Sequence, residues 1–182
     1  MSRGLGDVYK RQVISITDGQ IFLESGLFAS GMRPAVNVGL SVSRVGGAAQ
    51  TKAMKKASGS IRIDLAQYRE MEVFTQFSSD LDDATKAQLA YGGCLMELLK
   101  QPLCNPLSLH QQVITLWTAT HKKLVHVDKK HLKKYQMDML EYFDNVYPEI
   151  GKEIDEKKVL SDELGEKILQ AADEFKDRAA AK

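Results

Sequence analysis

Apolar residues near the start of the chain are grouped as in β-strands. The sequence VISI at positions 13–16 precedes Asp18-Gly19, and IFL at positions 21–23 comes after it. β-rich runs on both sides of an Asp-Gly pair are typical of a hairpin or another tight turn. The pattern therefore predicts two short strands that meet at Asp18-Gly19.

A third strand is predicted after a loop that is rich in glycine and small residues. VNVGLSV at positions 36–42 has the apolar character of a short buried strand, and SRVGG at 43–47 supplies the turn that ends it. Residues 48–57 hold helix formers and no breaker. Because three strands do not form a stable sheet alone, residues 13–57 are predicted to be the last piece of a larger α/β domain.

From about residue 60 the apolar residues recur every three or four positions, as in amphipathic helices. SGS at positions 58–60 marks the joint between the two regions. Five helices are predicted. The first carries Ile61, Leu65, Tyr68 and Met71, the second spans 83–100 with a weak point at Gly92-Gly93, and the third runs from a Ser108 cap to about His121. The fourth spans 132–143, and the fifth starts at a Ser161 cap. The fold class is therefore α-rich and mixed, with an all-α helical bundle over residues 58–182.

The amino-acid composition excludes several classes of protein for this chain. The 182 residues carry 25 Lys and Arg against 24 Asp and Glu, and 43% of them are apolar. These values exclude a disordered charged tail and a nucleic-acid binder that relies on overall charge. Cys94 and Cys104 are the only cysteines, which excludes a disulfide scaffold and favours free thiols in a reducing compartment. No run approaches the roughly 20 apolar residues of a membrane span.

The first twelve residues differ in character from the rest of the chain. MSRGLGDVYKRQ contains no apolar core of a secretory signal, and the pattern changes abruptly at Val13. We interpret residues 1–12 as a cloning scar or a mis-assembled leader, with a genuine flexible arm as the alternative.

Several candidate chemistries lack part of their pattern. GGAAQTK at positions 46–52 lacks the second glycine of a phosphate-binding loop, so the chain alone is not expected to hold or hydrolyse a nucleotide. The last three histidines are spaced five residues apart and point to different helix faces, so no metal site is expected. Neither cysteine has a histidine or charged partner at an offset typical of a nucleophile.

A run of lysines between positions 122 and 134 could contact a nucleic acid or a membrane surface. No aromatic residues are interleaved with them, as base stacking would require. A solvated helix face and loop is the favoured interpretation.

Arg44 stands at the end of a predicted buried strand and beside two glycines. An arginine in that place can reach a phosphate in a neighbouring site and offset the charge that develops during phosphoryl transfer. The alternative is a surface arginine in a β-to-α loop.

Three segments carry a resemblance to a known family. They are VISITDGQIFLE, GMRPAVNVGLSVSRVGGAAQTKAMKK and DLAQYREMEVFTQFSSDLD. Together they closely resemble the α and β subunits of the rotary ATP synthase catalytic head, CF(1), and the sequence that flanks PAVNVGLSVS favours α. The resemblance implies that residues 13–57 are the tail end of a P-loop-type α/β nucleotide-binding domain, and that the β-barrel domain and phosphate-binding loop of a normal α subunit are missing.

The resemblance also implies residue roles. Arg44 matches the arginine finger that reaches nucleotide held by a β subunit; Ser41 and Ser43 match the strand that aims it; Ser15 and Gly19 match positions near the phosphate pocket. Arg33 and Pro34 match positions beside the adenine of the nucleotide held by α. Gln101 matches a residue that closes over the same adenine, although Pro102-Leu103 replaces the family's usual polar continuation.

The implied ligands are ATP or ADP with Mg²⁺ in the intact assembly. The implied partners are β subunits in an alternating hexameric ring and γ- and δ-type stalk subunits, with no nucleic acid. The implied location is peripheral, on the inner face of an energy-coupling membrane, for which a bacterial plasma membrane is favoured over a mitochondrial inner membrane. A non-catalytic helical interaction module remains the alternative function.

Overall fold

The computed structural model describes residues 12–13, 16–75 and 82–180. The chain divides into two compact units, of which the first ends at Gln50 and the second begins at Thr51. The sequence patterns place the joint near residue 58 instead. Residues 52–58 form a helix that lies in the second unit.

The named elements among the described residues of the first unit are short. In chain order they are β1 (Gly19–Gln20), α1 (Ser25–Ala29), β2 (Val42–Ser43) and α2 (Gly46–Ala49). The two strands are antiparallel, with Gly19 opposite Ser43 and Gln20 opposite Val42. A single bridge between Leu23 and Val36 extends the pairing beyond the named strands.

Two strand predictions in this unit are wrong. Gly19 lies in the ladder instead of turning the chain, and Ile14 and Ser15 of the predicted hairpin lie outside the described residues. Residues 36–42 are not a continuous strand, because the Asn37 side-chain oxygen accepts hydrogen bonds from the backbone N–H groups of Gly39 and Leu40, both at 3.0 Å. An asparagine that binds the backbone two or three residues ahead forms a turn. The strand therefore begins only at Val42.

Every regular element among the described residues of the second unit is a helix, which confirms the predicted all-α architecture. Its helices are α3 (Lys52–Ser58), α4 (Ile61–Thr75), α5 (Asp83–Leu98), α6 (Leu109–Thr120), α7 (Leu132–Val146), α8 (Pro148–Lys157) and α9 (Asp162–Ala180). None of the helices in the described ranges is long and apolar enough to cross a membrane.

The predicted helix caps on Ser108 and Ser161 are confirmed. The Ser108 hydroxyl accepts from the Gln111 N–H at 3.3 Å, and the Gln111 side chain accepts from the Ser108 N–H at 3.2 Å. This reciprocal pair is a capping box. The Ser161 hydroxyl accepts from the Leu164 N–H at 3.2 Å. Each cap satisfies backbone donors that the helix itself leaves free.

Helix α6 is the centre of the second unit, because it packs against α3, α7, α8 and α9. Its Val113, Ile114 and Thr118 are almost completely buried. Ala53 and Ala57 of α3 are buried as well, and their small side chains allow the backbone of α3 to approach α6.

The two glycines inside α5 make room for neighbouring side chains. A Cβ atom at Gly92 would overlap the ring of Tyr68 from α4, and a Cβ atom at Gly93 would overlap the ammonium group of Lys129. Glycine has a low helix propensity, but at these two positions it allows the side chains of Tyr68 and Lys129 to lie close to the α5 backbone.

Candidate functional site

The predicted site residues lie mainly in the first unit. Gly19, Arg33, Pro34, Ser41, Ser43 and Arg44 are within its described residues, Gln101 belongs to the second unit, and Ser15 lies outside the described residues. We describe each unit's residues separately.

Arg44 comes directly after β2. Its backbone N–H donates to the carbonyl oxygen of Asp18 at 2.7 Å, which continues the pairing of the two strands by one residue. The residue is exposed, and no carboxylate within the described ranges forms an ion pair with its guanidinium. The geometry thus combines a fixed backbone with a free cationic group, which is able to bind an anion such as a phosphate.

The serines on either side of Val42 bind backbone groups. The Ser41 hydroxyl accepts from the Phe22 N–H at 3.1 Å and donates to the Asn37 carbonyl at 2.6 Å. The Ser43 hydroxyl accepts from the Gly46 N–H at 2.8 Å. Both hydroxyl groups therefore hold the chain around Arg44 in place.

Gly19 allows this segment to pass close to β1. A Cβ atom at Gly19 would lie 2.8 Å from the Ser43 Cα and would overlap the Val42 carbonyl oxygen. Real Cβ atoms essentially never approach that closely. Any side chain at Gly19 would thus push β2, and Arg44 with it, away from its present position.

Arg33 and Pro34 lie on an exposed loop between two buried residues, Met32 and Ala35. The Arg33–Pro34 peptide bond is cis. The guanidinium carbon of Arg33 lies 4.8 Å from the centroid of the Phe28 ring, a cation–π contact. The flat Arg33 group therefore lies at the surface of the first unit, where a planar ring could stack on it.

Gln101 lies in the connection between α5 and α6 and is exposed. The neighbouring Leu103 is 93% exposed, and Cys104 has a left-handed backbone with φ of 57°. Pro102-Leu103 thus presents an apolar surface beside Gln101.

Sequence reasoning did not identify Asn37, which organises the turn before β2. The side chain is 3% exposed and donates to a Glu24 carboxylate oxygen while its own oxygen binds the backbone of the turn. The backbone N–H of Asn37 also donates to the Phe22 carbonyl at 2.8 Å. An asparagine two residues before a glycine, as in Asn37-Val38-Gly39, is a turn signal that could have revealed this role.

A second overlooked cluster surrounds His110 in the other unit. Its Nδ1 lies 2.6 Å from Asp155, its Nε2 lies 3.3 Å from Asp144, and the Ser108 hydroxyl lies 3.2 Å from both ring nitrogens. A hydroxyl equidistant from both nitrogens lies off the direction of either lone pair, unlike the serine of a nucleophilic triad. The cluster therefore joins α6, α7 and α8 and has no nucleophile geometry.

The described residues form neither a metal-ion site nor a site with an activated cysteine nucleophile. No group of three potential metal ligands occurs among the described residues. Cys94 is buried and Cys104 is exposed. Burial raises the pKa of the Cys94 thiol to about 11, although the nearby Lys129 lowers it in part. A thiol with that pKa is protonated at neutral pH and is a poor nucleophile.

The comparisons with known proteins bear on both units. The family model described as "ATP synthase alpha/beta chain, C terminal domain" matches residues 50–175. The chain belongs to this ATP synthase alpha/beta chain family. The matched range corresponds closely to the helical second unit, which begins at Thr51.

Relatives of the family confirm the resemblance to the α subunit. ATP synthase subunit alpha of Aquifex aeolicus is 52% identical over 166 residues, which are 91% of this chain and 33% of the relative. The subunit alpha sequences of Clostridium botulinum and Clostridium kluyveri are 54% and 52% identical over 90% of this chain. The chain thus spans about a third of the length of the ATP synthase relatives that it matches.

Proposed function

We propose that this chain acts as part of the α subunit of a rotary ATP synthase and supplies Arg44 to a catalytic site on a neighbouring β subunit. In that assembly the proton gradient would drive ATP synthesis. The observation that carries the proposal is the state of Arg44, whose backbone is held by the strand pair while its exposed guanidinium has no carboxylate partner among the described residues. A structural surface arginine has no need of such support.

Arg44 would act only through electrostatic stabilisation of negative charge on the reacting phosphate. In synthesis the phosphoryl group passes from phosphate to ADP as water leaves, and in hydrolysis it passes from ATP to water. In both directions it gathers negative charge on its equatorial oxygens, and a guanidinium placed beside them stabilises that charge. Ser41, Ser43 and Gly19 would contribute by fixing the direction in which Arg44 leaves the backbone. Ser15 would lie near the same phosphate pocket.

The residues present fit a nucleotide that is held mainly by another chain. An unpaired guanidinium suits a phosphate, whereas the chain carries no complete phosphate-binding loop. GGAAQTK begins with the four-residue helix α2 and ends at Lys52, the first residue of α3. ATP or ADP with Mg²⁺ would supply the phosphoryl group. This chain's own part is to neutralise charge, and alone it should not turn over ATP.

A second nucleotide contact is proposed for Arg33, Pro34 and Gln101. The Arg33 guanidinium, which lies over the Phe28 ring, could stack on one face of an adenine ring. The amide of Gln101 could hydrogen-bond an adenine edge. Pro102-Leu103, which follows Gln101 directly, is apolar and offers no side-chain hydrogen bond to the ring.

The proposed partners are the β subunits of an alternating ring and the γ- and δ-type stalk subunits. The proposed location is peripheral, on the inner face of an energy-coupling membrane. We favour a bacterial plasma membrane, with the mitochondrial inner membrane as the alternative. The exposed apolar residues of the first unit, which include Ile21 at 77% and Leu23 at 72%, support a region that is covered by further protein in the assembly.

The test uses Arg44→Ala in a complete α subunit assembled with β and γ subunits. We expect kcat for ATP hydrolysis to fall about a thousandfold or more, since arginine fingers contribute effects of that size. Arg44→Lys should restore only part of the rate, because an ammonium group cannot make the bidentate contact. Arg62→Ala, which removes an exposed arginine of α4, is the matched control and should leave kcat unchanged. An unchanged rate in Arg44→Ala would overturn the proposal.

The alternative function is a non-catalytic helical interaction module. It is favoured by one observation, namely that residues 51–182 form a compact unit of their own. The two functions separate in the same experiment, since a helical module predicts that Arg44→Ala affects neither turnover nor assembly.

A further inference from the structure

A basic surface lies on the α6–α7 connection and the first turn of α7. It consists of Lys122, Lys129, Lys130 and Lys134, which are all exposed. Within the described part of the chain, none of these four lysines has an ion-pair partner. The lysines beside them differ, because Lys123 pairs with Asp173 at 2.6 Å and Lys133 donates to the Leu98 carbonyl at 2.9 Å.

The segment that carries the basic surface has a large excess of positive charge. Residues 121–134 contain six lysines and one carboxylate, Asp128, whereas the whole chain has a net charge of only +1. The Asp128 carboxylate accepts a hydrogen bond from the backbone N–H of Lys130 at 2.8 Å. It therefore stabilises the backbone of the connection and forms no ion pair with the exposed lysines.

Two lysines of the basic surface are held in position by α5. The Lys122 ammonium lies 5.2 Å from the centroid of the Tyr91 ring, and Lys122 ends α6 with a left-handed backbone at φ of 60°. The Lys129 ammonium occupies the space that a side chain at Gly93 would fill. The fold thus orders these side chains in advance, which reduces the entropy that a ligand must overcome on binding.

The chemistry of the segment selects among anionic partners. Residues 121–134 contain no Phe, Tyr or Trp that could stack on a base. Leu124 and Leu132 are buried, so the segment offers no large apolar side chain for insertion into a bilayer. Carboxylates need only point charges at hydrogen-bonding distance. We propose that the basic surface docks an acidic peptide segment of a partner protein.

The test measures binding of a labelled oligoglutamate peptide to the 182-residue chain by fluorescence anisotropy. Lys130→Gln combined with Lys134→Gln should raise Kd about fivefold, the size expected when two exposed ion pairs are lost. Rising salt should weaken binding by the wild-type chain more than by this variant. The control combines Lys152→Gln with Lys167→Gln, which removes the same charge from exposed positions on α8 and α9.

A second variant tests whether the fixed position of the Lys129 side chain contributes to peptide binding. Gly93→Ala keeps every lysine but displaces Lys129, and it should also raise Kd. Circular dichroism shows whether this variant folds, and Lys129→Gln replaces it if it does not. The proposal is overturned if the control weakens binding as much as the test pair. It is also overturned if an oligothymidylate or phosphatidylglycerol vesicles bind the basic surface more tightly than oligoglutamate does.

Discussion

Gly165→Ala tests how tightly α9 packs against α6. The added Cβ would lie 2.8 Å from Trp117 Cζ2 and 3.1 Å from Cε2, which belong to the rigid indole ring. The same indole donates a hydrogen bond from its N–H to the Gly165 carbonyl at 3.1 Å. The indole cannot retreat freely, because His121 lies against it at 4.2 Å between ring centroids.

The expected change in the free energy of unfolding is the sum of opposing effects. Alanine is favoured over glycine in a helix by about 1 kcal/mol. Overpacking costs about 1–3 kcal/mol, and weakening of the Trp117 hydrogen bond costs about 1 kcal/mol more. Packing therefore outweighs propensity, and we expect Gly165→Ala to lower the free energy of unfolding by roughly 1–3 kcal/mol.

Urea unfolding followed by circular dichroism measures this change. Trp117 is the only tryptophan, so its emission reports directly on the packing at Gly165. The matched background is Trp117→Phe, whose smaller ring lacks the atoms nearest to the added methyl group. In that background Gly165→Ala should stabilise the protein by up to about 1 kcal/mol, because only the helix propensity remains. Stabilisation by Gly165→Ala in the wild-type background would refute the packing argument.

Two further predictions concern the second unit. Ser108→Ala should reduce stability by about 1 kcal/mol, because it removes the hydroxyl that accepts from the Gln111 N–H, and a shift in the urea midpoint with an unchanged m-value checks it. Ser161→Ala likewise removes one bond, from the Leu164 N–H to the Ser161 hydroxyl, and should have an effect of about the same size. In the native protein a thiol reagent at pH 8 should modify Cys104 and spare Cys94, whose pKa is about 11, whereas both should react in urea. Rapid modification of both thiols without urea would contradict the burial of Cys94.

The helical unit could be predicted because each signal depends on nearby residues. The spacing of Ile61 and Leu65 places both on the buried face of α4, and Ser108 marks the start of α6 through its own hydrogen bonds. Helix α8 is not among the predicted helices, because a proline such as Pro148 favours the end of the helix before it. Proline lacks a backbone donor, which a first helical turn does not require, so Pro148 begins α8 as well.

The first unit was harder to predict, because its strands depend on distant partners. The apolar run at 36–42 resembles a buried strand, but one polar residue, Asn37, turns the chain and confines the ladder to Val42–Ser43. Strand patterns are weak where pairing and burial come from elsewhere in the sequence. Arg44 could be singled out from its place beside two glycines, whereas roles for Arg33 and Gln101 rest on the family resemblance.

The exposure of the first unit and the position of Arg44 support the same proposal. Leu40 is 58% exposed and Val42 is 49% exposed, so apolar side chains lie at the surface on the segment that leads to Arg44. A phosphate site that further protein completes needs both features, because its apolar rim excludes water and its unpaired cation binds the anion. The proposal therefore predicts that Leu40 and Val42 are covered in the complete assembly. It also predicts that Leu40→Asp weakens assembly, whereas Arg44→Ala lowers turnover and leaves assembly intact.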